Sequence, residues 1–222
     1  MNRFLTNWVE GIEGAVRIVA TLITPFFRLR RLRWGATDDE IRRTLPGDEY
    51  VPQPVWSYTH AVTIHAPAEA VWGWIVQLGQ GRGGFYSYEG LENLVGCDIH
   101  NADRILPEFQ HLKPGDRIKL HRSPSSPAYP VERVEPAHYI LTYGAENPGK
   151  LPAQTWLLYL DAIDGETTRF IVRARTHYVA TLAMKMWFGP AIMEPISFVM
   201  ERKMMLGIKQ RAERAYAAPA MA

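Results

Sequence analysis

The sequence predicts an α+β domain: a curved antiparallel β-sheet wrapped around a long C-terminal helix, with two short helices after the first strand and an amphipathic helix in front. Three observations carry this. Residues 58–65 alternate with a period of two and pass straight into helical spacing. Residues 113–178 read as strands and turns. From Ile196 the apolar residues return at helical intervals to about Tyr216.

In the first strand Tyr58, His60, Val62 and Ile64 share one face, and Thr59, Ala61, Thr63 and His65 the other. Pro67 suits a helix start. Val71, Trp74, Ile75 and Leu78 then form one apolar helical face. The glycine-rich stretch 79–84 ends that helix. It follows a helix and lacks a Lys-Ser/Thr or spaced-glycine signature, which argues against a phosphate cradle. A second helix is expected over 87–95, with Tyr88, Leu91 and Val95 as its apolar side. Lys113-Pro114-Gly115-Asp116 fits a type II turn. Strands are expected at 128–135 and 138–144, then a hairpin of 155–161 and 169–178 around Asp164-Gly165. In its second arm Phe170, Val172, Ala174 and Thr176 face one way. Arg169, Ile171, Arg173, Arg175 and His177 face the other, as in a sheet with one wet face. Pro190 and Pro195 fall at or before the start of the closing helix. Ile196, Val199, Met200, Met204 and Ile208 give that helix its apolar spacing, with Glu201, Arg202 and Lys203 between them.

Residues 1–33 hold six arginines and two glutamates, although the whole chain of 222 residues carries a net charge of only +2. The basic character therefore belongs to the front, and the overall balance gives no reason to expect nucleic acid as a partner. The uncharged run Ile18–Phe27 spans only about half a hydrocarbon core at ~1.5 Å per residue, and Pro25 interrupts it. Two readings stand. In one, the segment lies in a membrane interface with Phe26, Phe27 and Leu29 inserted and the arginines at anionic headgroups. In the other, it packs on its own domain or on a second copy. Thr37 and Glu40 form a capping-box pattern that places a short helix at 38–44, inside an otherwise turn-rich linker. The expected organisation is thus 1–33, a basic amphipathic segment; 34–54, a linker; 55–216, the main domain; and 217–222, a tail. Cys97 is the only cysteine, so no intrachain disulfide marks the chain as secreted. A cytoplasmic protein is expected, peripheral on the inner membrane face if the front segment binds lipid.

The stretch Thr63-Ile64-His65-Ala66-Pro67-Ala68-Glu69-Ala70-Val71-Trp72 resembles the opening of the SRPBCC superfamily, which includes START-like lipid-transfer domains and polyketide cyclase/dehydrase-like proteins. Gly81-Arg82-Gly83-Gly84-Phe85-Tyr86-Ser87-Tyr88, Leu91-Glu92-Asn93 and Asp98-Ile99-His100-Asn101-Ala102-Asp103-Arg104 resemble a bacterial branch of it, as do Arg33-Trp34-Gly35-Ala36-Thr37 and Met200-Glu201-Arg202. The resemblance spans about residues 33–216. It implies a helix-grip fold with a cavity for a hydrophobic small molecule or lipid, and no cofactor.

The densest polar cluster holds Tyr86, Tyr88, Glu89, Asn93, His100, Asp103 and Arg104. His100 paired with Asp103, together with Glu89, would serve as acid and base in a cyclase- or dehydratase-type enzyme. Tyr86, Tyr88, Asn93 and Arg104 would orient a ligand. The alternative is that the cluster only ties a long loop to the sheet. His60, Trp187, Phe198, Met200 and Met204 are the candidate apolar and aromatic walls, since six of the eight methionines fall between 184 and 205. No Cys pair or His-x-x-x-His spacing points to a metal. Binding of a hydrophobic molecule near a membrane ranks first, an enzyme second, and a membrane-associated structural or regulatory role third.

Overall fold

The computed structural model describes residues 3–123, 126, 128–145, 152–178 and 181–217; for residues 3–6 and 188 only the backbone is described. The chain runs α1 (Arg3–Leu22), α2 (Arg28–Leu32), α3 (Asp38–Arg42), β1 (Trp56–Ile64), α4 (Ala68–Ile75), α5 (Glu89–Leu94), β2 (Arg117–Lys119), β3 (Ala128–Glu135), β4 (Tyr139–Gly144), β5 (Ala153–Ala162), β6 (Thr168–His177), α6 (Leu182–Phe188) and α7 (Met193–Ala217). The six strands form one antiparallel sheet in the order β1-β6-β5-β4-β3-β2. The first strand therefore pairs with the last, bringing His60 opposite Val172 and Tyr58 opposite Ala174.

Alternation decides the layers. One face of the sheet buries Val62, Ile64, Ile140, Leu158, Phe170 and Val172 against α4 and α7. From the helix side come Val71, Trp74 and Ile75, then Met204, Met205 and Ile208. The turn before β2 forms as expected: Asp116 N–H donates to Lys113 O at 3.1 Å, and Gly115 takes φ 92°. A bulge at Val131/Arg133 interrupts the β3–β4 ladder.

The expectation of a wet outer face is corrected. Leu45, Ala61, Leu141, Leu157 and Ile171 form a second buried cluster there, and the linker covers it. Thr37 caps α3 with the full reciprocal box to Glu40. Glu40 then takes the Arg169 guanidinium at 2.6 and 3.0 Å. Arg173 is only 4% exposed. It donates to Asp48 at 2.8 Å and to the carbonyls of Arg43 and Ile41 at 2.9 and 3.2 Å. The arginines of β6 are thus anchors for the linker rather than a solvated stripe.

At α5 Tyr88 is buried and Leu91 half-buried, as its expected apolar side requires, but Val95 is exposed, and the helix also buries Glu89 and Glu92. Asn93 explains the turn that follows, because its amide exchanges two 2.7 Å bonds with the backbone of Ile99. The short helix α6 was not expected from the spacing. Residues 218–222 of the tail lie outside the described residues.

The front segment packs on its own domain, and α1 contacts α5 and α7. Its amphipathicity is inverted. Gly11, Gly14 and Thr21 are buried, while Val9, Ile12, Val16, Val19 and Ile23 are exposed on the opposite side. No helix among the described residues is long and apolar enough to cross a membrane.

Candidate functional site

A cavity of about 230 Å³ opens between α7 and the inner face of the sheet. Strands supply Tyr58, Tyr129 and Trp156, and α7 supplies Ser197, Met200, Glu201 and Met204. The far wall comes from the segment after α4, with Phe85, Ser87, Glu92 and Cys97. Met200 and Met204, two of the candidate wall residues, are among those lining it. Among the described lining residues there is no Lys, Arg or His.

Glu201 is the polar centre. It lies on α7 facing the sheet and is 6% exposed. One carboxylate oxygen accepts from the Tyr58 hydroxyl at 2.7 Å and from the Trp156 indole N–H at 2.9 Å. The other meets His60 Nδ1 at 2.6 Å. His60 Nε2 lies 2.8 Å from Arg31 O. A carbonyl only accepts, so Nε2 carries a hydrogen. The short Nδ1 contact therefore holds a second proton, on the imidazole or on the carboxyl. This is a proton-sharing pair fixed at both ends. Burial, and then the Glu201 charge, push the Tyr58 phenol well up and the Tyr129 phenol to about 12. Both remain protonated donors at neutral pH.

Glu92 faces the same cavity from α5. It is 8% exposed, and its Oε2 is buried without a hydrogen-bond partner. Burial, and then the neighbouring Glu89, raise its pKa to about 7. Burial, and then Glu92, also raise the Cys97 thiol, which keeps it from being a ready nucleophile.

The cluster expected from sequence does not assemble around the cavity. His100 and Asp103 do not meet. The exposed His100 ring sits 3.6 Å from Glu89 and 3.4 Å from Asp98, and Asp103 lies 3.5 Å from Arg211. Both are on an irregular loop that runs along the surface, with no wall to face them inward. Glu89 is buried, but its oxygens accept from Asn7 at 3.0 Å and from Asn101 N–H at 2.9 Å, so it ties the loop to α1. Tyr86 packs away from the cavity, accepting from Gln77 at 2.7 Å under the Arg211 guanidinium. Tyr88 and Phe198 line a groove beside α1 instead. Arg104 and Trp187 are exposed. His60 stands behind Glu201, with the Phe198 ring 5.5 Å away.

Sequence reading missed Glu201, Glu92, Tyr58, Tyr129 and Trp156. The available signal was Glu201 lying one residue from Met200 and three before Met204, on the buried side of α7. A charged residue there reads as polar-face filler until the opposite strand is known.

No family model matches this sequence, and neither does any curated protein. Solved structures do resemble it. The protein MLL2253 from Mesorhizobium loti gives a TM-score of 0.41 at 11% identity, covering 72% of this chain and 98% of its own. CalU16 from Micromonospora echinospora gives 0.35 at 15%, covering 75% and 88%. The Zhui aromatase/cyclase from Streptomyces sp. R1128 gives 0.38 at 17%, covering 72% and 94%. The order of elements itself, one strand, two short helices, five further antiparallel strands and a long closing helix laid on the sheet, is a helix-grip architecture.

Proposed function

We propose that this protein binds a mostly apolar small molecule in the cavity and does so at an anionic membrane surface on the cytoplasmic side. The observation that carries the first part is the open cavity walled by rings and methionines with Glu201 held at its centre. Apolar walls with a few placed polar groups are what orients such a guest. The support for the second part is the outward row Ile12, Val16 and Val19 on α1, continued by Ile23, Phe26 and Leu29 next to Arg30. Apolar side chains beside exposed arginines suit the headgroup boundary of an anionic bilayer. Protein purified under native conditions is expected to release a bound apolar compound on extraction and mass spectrometry. Full chain is expected to float with anionic vesicles and not with zwitterionic ones, and Ile12→Asp with Val16→Asp is expected to stop it. Flotation of that double variant, or none by the native chain, removes the membrane from the proposal.

A second reading is favoured by the His60–Glu201 pair. A fixed proton-sharing pair beside a phenol donor suits acid–base chemistry on a carbonyl compound. In a dehydration the pair would take the α-proton, the C–H electrons would form the C=C bond, and the β-hydroxyl would leave as water with a returned proton. Tyr58 would hold the carbonyl oxygen. A β-hydroxy ketone probe such as 4-hydroxy-4-phenylbutan-2-one is expected to give its enone with native protein and not with Glu201→Gln. No enone above the buffer rate ends this reading.

A further inference from the structure

We propose that the cavity selects an apolar organic cation, a protonated amine whose ammonium group pairs with Glu92 while its hydrocarbon part lies against the aromatic walls. The proposal rests on the cavity being a ligand site. Three features lead from there to the cation.

The first is the charge type of the lining. Glu92 and Glu201 are its ionisable carboxyls, and the described lining residues include no basic side chain to meet an anion. A fatty carboxylate or a phosphate ester would find no basic side chain in the lining and would lie beside the Glu92 carboxyl, which is disfavoured. The second is the valence left open. Glu201 already has polar partners on both oxygens, Tyr58 and Trp156 on one and His60 on the other. Glu92 also lines the cavity, and its Oε2 is buried with no hydrogen-bond partner. A buried carboxylate oxygen without a donor is a standing cost that a ligand N–H relieves. The third is the wall itself, with the rings of Tyr58, Phe85, Tyr129 and Trp156. Aromatic faces carry negative quadrupole charge and attract ammonium groups. Carboxylate, rings and no base together describe a receptor for an amine.

Burial, and then Glu89, raise the Glu92 carboxyl to about 7, and an ammonium ion beside it would hold it ionised and release its proton to solvent.

Three probes of matched size separate the possibilities: 2-phenylethylamine, 2-phenylethanol and phenylacetate, titrated calorimetrically into full chain near neutral pH. The amine is expected to bind about tenfold or more tighter than the alcohol, with phenylacetate weakest. In Glu92→Gln the amine is expected to lose about tenfold while the alcohol stays within about twofold. Phenylacetate binding as tightly as the amine overturns the proposal whatever the variant does, and so does an amine preference that survives Glu92→Gln. In both those cases the cavity remains a ligand site. If none of the three binds native protein, this inference and the ligand-binding reading fall together.

Discussion

Glu92 shows how one side chain can trade stability for readiness. Its carboxyl titrates near 7 in the folded chain against 4.5 for the free group, because of burial and then of Glu89. Glu89 in turn is held by Asn7 and faced by His100, and Cys97 faces Glu92. The folded state binds more protons than the unfolded state between those two values. Stability therefore falls as pH rises through that window. The loss above pH 7 is on the order of 3 kcal/mol at most. Glu92→Gln is expected to melt higher than native protein at pH 8 and close to it at pH 4.5. Thermal melts that show an equal gap at both pH values would place the titration elsewhere. Glu201 has the opposite character. Removing it leaves the Tyr58, Trp156 and His60 donors without an acceptor in the interior. Glu201→Ala is expected to cost about 3 kcal/mol or more, read by urea unfolding.

At the scale of elements, α1 docks through small residues. A Cβ on Gly90 would lie 2.4 Å from the backbone oxygen of Asn7, and one on Gly11 would touch Gly90 at 3.8 Å. This close approach explains why α1 turns its glycines inward and its isoleucine and valines outward. Gly90→Ala is expected to push α1 off α5 at a cost of about 1–3 kcal/mol. Limited proteolysis should then cut residues 3–33 faster than in native protein; equal cutting rates would show that α1 is held mainly by its ion pairs. From α1 itself Glu10 meets Lys203 at 3.0 Å, and from α2 Arg28 meets Glu194 at 2.8 Å, both ending on α7. On the outer face of the sheet, Arg173→Leu would leave the carbonyls of Arg43 and Ile41 without this donor and take the buried guanidinium from Asp48, which keeps the Leu45 N–H and Arg175. It is expected to cost about 3 kcal/mol, since breaking a buried pair is strongly destabilising, with urea unfolding as the measurement.

Over the whole molecule, the front segment, the linker and the cavity form one connected structure. Arg31 supplies the carbonyl that fixes His60, and His60 fixes Glu201. A chain lacking residues 1–33 would leave His60 Nε2–H without its acceptor and expose Phe198, which lies in the groove beside α1. Such a chain is expected to melt several degrees lower, consistent with about 1–3 kcal/mol for an unsatisfied donor. An unchanged melting temperature would show that the front segment and the cavity are independent.

The sequence by itself determined the order and type of the elements apart from α6, and the inner face of the sheet. Period-two alternation in residues 58–64 and 170–176, the capping box at Thr37 and the spacing after Ile196 are local patterns, and local backbone geometry turns them directly into strands, caps and helices. The coverage of the outer face was not legible, because Arg173 and Ile171 alternate as a wet face would, and only the linker folding back shows otherwise. The cavity chemistry was not legible either. His60, Trp156 and Glu201 are separated by up to 141 positions, and nothing local says that β1, β5 and α7 bring them within 3 Å. The loop cluster around His100 looked richer because its polar residues are neighbours in sequence. Tertiary packing decided which carboxylates meet the cavity, because only the folding of other elements around α7 brings donors to a charge inside, as at Glu201.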